Sequence, residues 1–359
     1  MQEAASAFTL EGNPAQCTPF GKGHINDTYL LITDIERSYI LQRINHRVFQ
    51  DIPALMHNIS LVISHLAKAD PRPRHVLTLI STLSGSSYYL DEADNYWRCY
   101  DFITDSICLQ QAENVEDLIQ SAIAFGSFQN LLADFPAATL HETIPRFHDM
   151  PNRFRQLHEA IEQNRAGRLK DVGAEVAFSL SHEAEAGVLQ EMVEKGELLL
   201  RVTHNDAKLS NVLLDAKTRK ALCVIDLDTV MPGLVANDFG DAIRSGAATA
   251  KEDEKDLSLV NLSLERYTSF AKGFLRECGG RLTDREIETL PVGAKLMTLE
   301  TNIRFLADFL NGDIYYHTSY PEHNLDRCRN QRKLIEDIEA HWQQMEDIIY
   351  DHQKEVFLA

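Results

Sequence analysis

Along the first hundred residues, short apolar and β-branched runs alternate with turn chemistry. "TYLLI" (Thr28 to Ile32) and "YILQRI" (Tyr39 to Ile44) flank "TDIERS", the pattern of a hairpin. "HVLTLI" (His75 to Ile80), "SYYL" (Ser87 to Leu90) and "YWRCYDFI" (Tyr96 to Ile103) are further strand candidates. Between these runs, Ile52, Leu55, Met56, Ile59, Val62, Ile63 and Leu66 recur at the spacing that lines one face of a helix, and the prolines of "DPRPR" end it. After Ile103 the period lengthens. Val115, Leu118, Ile119, Ala122, Phe125 and Leu132 share one helical face, as do Leu334, Ile338, Trp342, Met345 and Ile349, and such stripes normally face a core. The expectation is an α+β protein: a small five-stranded antiparallel sheet lobe with one helix over residues 1–103, then a larger, mainly helical lobe over 104–359. A hinge is expected at Tyr100 to Asp105, and clefts between lobes are where small ligands prefer to bind.

A chain of 359 residues suits two lobes, because single cores stop growing at about 250–300 residues. With 54 acidic against 35 basic side chains, the net charge of -19 repels a phosphate backbone and an anionic membrane surface. Neither nucleic acid nor membrane is an expected partner, although a small anion can still bind in a locally positive pocket. "MQEAASAFTLEG" has neither a basic start nor a long apolar run, so no secretory signal is expected. Six cysteines without a CxxC pair argue against a zinc ribbon or a disulfide framework. A cytoplasmic protein, monomeric or a small homo-oligomer, is the default.

The chemistry concentrates in "RVTHNDAKLSNVLLD" (Arg201 to Asp215) and in "VIDLD" (Val224 to Asp228). Metal ligands, a general base and plain turn chemistry can all have this composition. Strand-like "LLLRV", "VLL" and "ALCVI", with "DAKTRK" as a turn, make His204 to Asn211 a loop and bring Asn211 and Asp226 to one end of a hairpin. An Asn carbonyl and an Asp carboxylate suit Mg²⁺, which takes hard oxygen ligands and needs only one or two carboxylates. Asp206 then lies where a base or orienting group for a hydroxyl nucleophile is needed, with Lys208 adding positive charge. This layout is that of a kinase catalytic loop and its metal aspartate.

"THNDAKLSNVLLD", "VIDLDTVMPG" and "DFGDAIR" resemble the aminoglycoside phosphotransferase and choline kinase superfamily, whose fold is protein-kinase-like and bilobal. More narrowly, "GKGHINDTY", "YILQRIN", "RFHDMPNRF", "KEDEKDLS", "RFLADFLNGDIYY" and "YPEHN" resemble the anomeric N-acetylhexosamine kinases, which act on N-acetylglucosamine and N-acetylgalactosamine and form the sugar 1-phosphate. The resemblance implies ATP and Mg²⁺ as cofactors, Asp206 as catalytic base with Lys208 beside it, and Asn211 and Asp226 as metal ligands. It places Gly21 and Gly23 at the phosphates and His24 at the sugar, together with Asp241, Arg304 and Tyr315. The adenine is expected at Tyr100, Phe102 and Ile103. Asp238 matches a position that organises the catalytic loop, His204 reads as a brace, and Asp228 as a further carboxylate near the metal or a turn residue.

Two departures stand out. Where the family often has a Lys or Arg on the second strand, "YILQRIN" offers Gln42 with Arg43 beside it, and the helix after it contains no Glu. Either Gln42 contributes hydrogen bonds at the phosphates or Arg43 turns inward. The rival readings are a kinase of choline, homoserine or methylthioribose, a catalytically silent kinase-like module, and a metal-dependent phosphohydrolase using His204, Asp206, Asp226 and Asp228. Few aromatics cluster near the catalytic loop, which weighs against a quaternary ammonium acceptor.

Overall fold

A computed structural model describes residues 2–21 and 25–358. The chain forms two compact units that are each discontinuous in sequence: residues 1–108, 134–145 and 211–232 make the first, and 109–133, 146–210 and 233–359 the second. The first therefore takes in, beyond the expected boundary at residue 103, the hairpin that carries Asn211 and Asp226.

In the first unit, β1 (Pro14–Pro19), β2 (Asp27–Thr33), β3 (Ser38–Ile44), β4 (Leu79–Ile80), β5 (Tyr89–Leu90) and β6 (Tyr96–Asp101) form one antiparallel sheet ordered β1-β2-β3-β6-β4, with β5 also on β6. The expected five strands are joined by β1, and the expected single helix by a short α1 (Gln2–Ser6). β1 escaped the pattern because proline opens and closes it and it is an edge strand, where proline is tolerated and alternation is weak. The run at His75 to Ile80 forms a strand only in its last two residues.

Strand alternation sorts the sheet's two faces. Leu31, Tyr39, Leu41, Trp97 and Cys99 pack with Ala4, Ala5 and Phe8 into one core. Gln42 and Arg98 stand on the opposite face and are direct cross-strand partners. α2 (Ile52–Ala69) is capped by Asp51, whose carboxylate accepts from the Ala54 N–H at 2.9 Å, and it buries the apolar stripe read from the sequence. β7 (Ser106–Cys108), β9 (Val212–Asp215) and β10 (Ala221–Val224) make a second antiparallel sheet in the order β10-β9-β7.

The second unit is helical around β8 (Arg201–Thr203). Its helices are α3 (Val115–Leu131), α4 (Met150–Gln163), α5 (Gly173–Ser181), α6 (Val188–Glu194), α7 (Val235–Gly246), α8 (Leu264–Cys278), α9 (Asp284–Glu288), α10 (Leu290–Asn311), α11 (His323–Ala340) and α12 (Trp342–Leu358). α7 and α10 approach backbone to backbone: a Cβ on Gly240 would lie 2.2 Å from the Gly293 carbonyl oxygen, and one on Gly293 only 1.9 Å from that of Ala236. Only glycine permits this contact. It fixes α7, with Asp238 and Asp241, against α10, with Glu300 and Arg304. Among the described residues no helix is long and apolar enough to cross a membrane.

Candidate functional site

In the second unit, β8 delivers the chain into the loop that starts at His204. Asp238, one turn into α7 and buried, receives the His204 N–H at 2.8 Å on one oxygen and the Asn205 N–H at 2.7 Å on the other. Gln129 of α3 adds a third donor at 3.2 Å. Burial pushes the Asp238 carboxyl above the usual range, against the pull of these N–H groups and of His204. The anchor matters because Asn205 is held at φ 61, a left-handed conformation that a non-glycine residue adopts at a cost. The His204 ring is buried between Phe125 and Phe128, edge-on at 5.5 and 6.1 Å, the surroundings of a brace. Asp206 follows, part-exposed, with Lys208 Nζ 2.9 Å from its carboxylate.

A polar chain leads on from this loop. The Asn205 carbonyl lies 3.2 Å from His148 Nε2, and His148 Nδ1 lies 2.8 Å from Glu300. Glu300, buried on α10, also binds Arg153 at 3.0 Å and lies 3.6 Å from Arg304. Burial alone would raise the Glu300 carboxyl, but His148, Arg153 and Arg304 bring it down to about 2. Burial would lower His148, and the Glu300 carboxylate outweighs it and raises the imidazole. Arg304 donates to the Tyr315 hydroxyl at 3.2 Å, and its guanidinium lies over the rings of Tyr315, Tyr316 and Phe147. Asp308 sets Tyr315 in place: its carboxylate accepts the N–H groups of Ile314, Tyr315 and Tyr316 at 2.9–3.0 Å. Asp241 is buried on α7 and held by Arg244 at 2.9 Å. The structure thus pairs Asp206 with Lys208 and Arg304 with Tyr315, and links Arg304 through Glu300 and His148 to Asn205, the residue before Asp206.

In the first unit, β9 and β10 pair with Val212 opposite Val224, and the Ile225 N–H donates to the Asn211 carbonyl at 2.9 Å. This brings Asn211 and Asp226 to the same hairpin end. Asp226 is exposed and left-handed, at φ 61 and ψ 57, and opens the 3-10 turn Leu227–Thr229. A carboxylate and an amide carried at one hairpin end offer hard oxygens, the donor type that fits Mg²⁺.

Asp228 is buried and ion-paired with Arg98 of β6, and the Asn26 side chain donates to its other oxygen at 2.5 Å. Gln42 accepts from Arg98 Nε at 2.9 Å and donates to Thr28 at 3.0 Å. Burial opposes the Arg98 charge, but Asp228 outweighs it and holds the guanidinium above its usual range. Arg43 does not turn toward Arg98; it is half exposed and paired with Asp27 on the sheet face that carries Leu41 and Trp97. Successive strand residues face opposite ways, so only one of Gln42 and Arg43 could meet Arg98.

Gly21 has φ +78 with open space around it. Gly23 and His24 lie outside the described residues. Tyr100 is buried beside Arg98, its ring 5.4 Å from the guanidinium. The Phe102 N–H donates to the Ser38 carbonyl at 3.2 Å, and the Ile103 carbonyl accepts from Ser106 at 2.7 Å. Sequence reasoning did not single out Arg98, Asn26, His148, Glu300 or Asp308. Arg98 carried one legible signal, a cation in an otherwise apolar strand.

The fold is the α+β, kinase-like one, an antiparallel sheet with a helical lobe. It is similar to amicoumacin kinase in complex with AMP-PNP, Ca²⁺ and amicoumacin (TM-score 0.62, 14% identity, 94% of this chain and 92% of that one). A microcompartment-associated aminopropanol kinase (TM-score 0.58, 16% identity, 96% and 97%) and choline kinase from Cryptosporidium parvum Iowa II (TM-score 0.55, 12% identity, 95% and 93%) share it. Residues 16–272 match the phosphotransferase enzyme family, and the chain belongs to that family.

Proposed function

We propose that the protein transfers the γ-phosphoryl group of ATP to the anomeric hydroxyl of N-acetylhexosamines, N-acetylglucosamine and N-acetylgalactosamine, giving the sugar 1-phosphate. The observation that carries the reading is the contact chain from Arg304 through Glu300 and His148 to Asn205. It ties the guanidinium expected at the sugar to the residue preceding the expected base. Asp206 orients the acceptor hydroxyl and takes its proton, while Lys208 offsets negative charge beside it. Arg304, Tyr315, Asp241 and His24 meet the hydroxyl and amide oxygens of the sugar.

The first unit takes the nucleotide. In this reading Gly21 and Gly23 are the glycines that would let backbone N–H groups approach phosphate, Gln42 is expected near the phosphates through the Arg98 that it holds, and Tyr100, Phe102 and Ile103 are expected at the adenine. Mg²⁺, held by Asn211 and Asp226, would neutralise charge on the phosphates. A similar fold that carries AMP-PNP and Ca²⁺ supports nucleotide and divalent metal use.

The second reading is a kinase of a small amino alcohol, as two of the similar structures are named. Against it, the aromatic faces of Phe147, Tyr315 and Tyr316 already surround Arg304, so a substrate ammonium there would meet like charge. A coupled assay of ADP release over free hexosamines, hexoses, choline, ethanolamine and homoserine tests the choice, with turnover expected on the N-acetylhexosamines. Asp206→Asn should lower turnover by roughly two to four powers of ten with ATP binding nearly intact. A variant as fast as the parent removes the base assignment.

A further inference from the structure

Arg98 is the bulkiest of the fully buried side chains among the described residues, and it lies in a strand whose other inward groups are apolar or aromatic. A buried ion pair is weak evidence for stability, since well-packed apolar residues often serve as well; what it supplies is geometry. Its counter-ion is Asp228, two residues after Asp226 and inside the turn that Asp226 opens.

Asp226 is a non-glycine residue in the left-handed region, a conformation that persists only where the surroundings over-determine it. Three sets of contacts do so. The Ile225 N–H is fixed on the Asn211 carbonyl, Asp228 is gripped by Arg98 and Asn26, and Asn58 of α2 donates to the Val230 carbonyl at 3.0 Å. Asn26 also accepts from the Asn45 N–H at 3.0 Å, which locks it in turn. Gln42 holds Arg98 at Nε. Two guanidinium nitrogens are thus directed at protein groups, and the side chain is only 1% exposed.

We propose that Arg98 is a positioning residue: acting through Asp228, with Asn26 as the second grip, it fixes the Asp226 carboxylate for the metal–nucleotide complex. The inference rests on the kinase reading for the identity of that complex. Asp228 is then a brace for the metal loop, and Gln42 is the clamp that aims Arg98.

Fluorescent mant-ATP binding, measured on the full chain first in EDTA and then along a Mg²⁺ titration, separates this role from others. Asp228→Asn and Arg98→Lys should raise the Mg²⁺ midpoint roughly 10–100-fold, as loss of groups that orient a metal ligand does, while metal-free affinity moves less than about threefold. The double variant Arg98→Met/Asp228→Leu removes both charges without stranding either, and should show the same Mg²⁺ shift with near-parental melting. A tenfold or greater loss of metal-free affinity in Arg98→Lys would mean direct phosphate contact and overturn the proposal. So would an unchanged Mg²⁺ midpoint in the folded variants, or a parent whose nucleotide binding ignores Mg²⁺. Failure of the sugar kinase reading looks different: the parent binds Mg²⁺ and mant-ATP together yet phosphorylates no sugar, and the binding comparison still decides the role of Arg98.

Discussion

The loop after β8, proposed here as the catalytic loop, and the loop after β10, proposed as the metal loop, solve one problem in two ways. Each contains a non-glycine residue at φ 61, Asn205 in the first and Asp226 in the second, and each is held by a buried aspartate. Asp238 grips Asn205 and His204 directly by their backbone N–H groups. Asp228 acts from within: it is a member of the loop and is held from outside by Arg98 and Asn26. The catalytic loop is therefore anchored through neutral donors, which lose little when moved from water to a buried carboxylate. The metal loop is anchored through an ion pair, whose two desolvated charges depend on each other. The first arrangement fixes backbone path, and the second fixes a side chain's direction at the end of a short turn.

Removing one charge breaks the second arrangement hardest. Asp228→Ala strands a fully buried guanidinium, so chemical denaturation should show a loss of about 3–5 kcal/mol, whereas Arg98→Met/Asp228→Leu should recover most of it. If the double variant is as unstable as the single one, the loop is not held by charge. Asp238→Ala should cost less, about 2–3 kcal/mol, because it orphans donors rather than a charge. Asp238→Asn should not restore the parent: both carboxylate oxygens accept N–H groups, and an amide nitrogen would face a donor.

These two loops also show what could be read in advance. The neighbourhood of Asn211 and Asp226 was legible because the period of two in the flanking strands makes a hairpin and brings both to one end of it. The α2 stripe and its Asp51 cap were legible for the same local reason. The braces were not. Arg98 and Asp228 are 130 positions apart, Glu300 and His148 152 apart, and nothing local in "YWRCYDFI" or "RFHDMPNRF" names its partner. β1 was hidden by its prolines, and the close α7–α10 approach shows only when Gly240 and Gly293 are seen against each other's backbone.

Besides its neutral donors to Asp238, the loop after β8 is tied to the His148–Glu300 pair, whose contribution should appear in pH. His148, on the Asn205 carbonyl, is lowered by its burial but raised more by the Glu300 carboxylate, so its imidazole titrates above the usual histidine value of about 6.5. A group raised on folding contributes stability that is fully present below its unfolded pKa and is lost as pH rises through the folded value. Glu300, lowered from 4.5 to about 2, adds stability above the unfolded value that is lost as pH falls toward 2. Stability from the pair should therefore be greatest between the two unfolded values and decline on the alkaline side. Denaturation midpoints of the parent and His148→Gln at about pH 5.5 and about pH 9 test this: the parent should lose stability across the interval and the variant should lose less. The Arg98 brace contributes no such slope through its guanidinium, which stays protonated throughout.

The smallest effect belongs to the residue that the sequence offered as an alternative phosphate anchor. Arg43 sits one position from Gln42 but on the other face of β3, half exposed and paired with an equally exposed Asp27. Exposed pairs of this kind contribute at most about 1 kcal/mol, because water screens the attraction and two side chains lose freedom to hold it. Arg43→Ala should therefore leave melting nearly unchanged, and the Mg²⁺ midpoint and metal-free mant-ATP affinity should stay within about twofold of the parent. A marked loss of nucleotide affinity in Arg43→Ala would mean that β3 presents Arg43 rather than Gln42 to the nucleotide. The cross-strand register that pairs Gln42 with Arg98 would then not be the one that the protein uses.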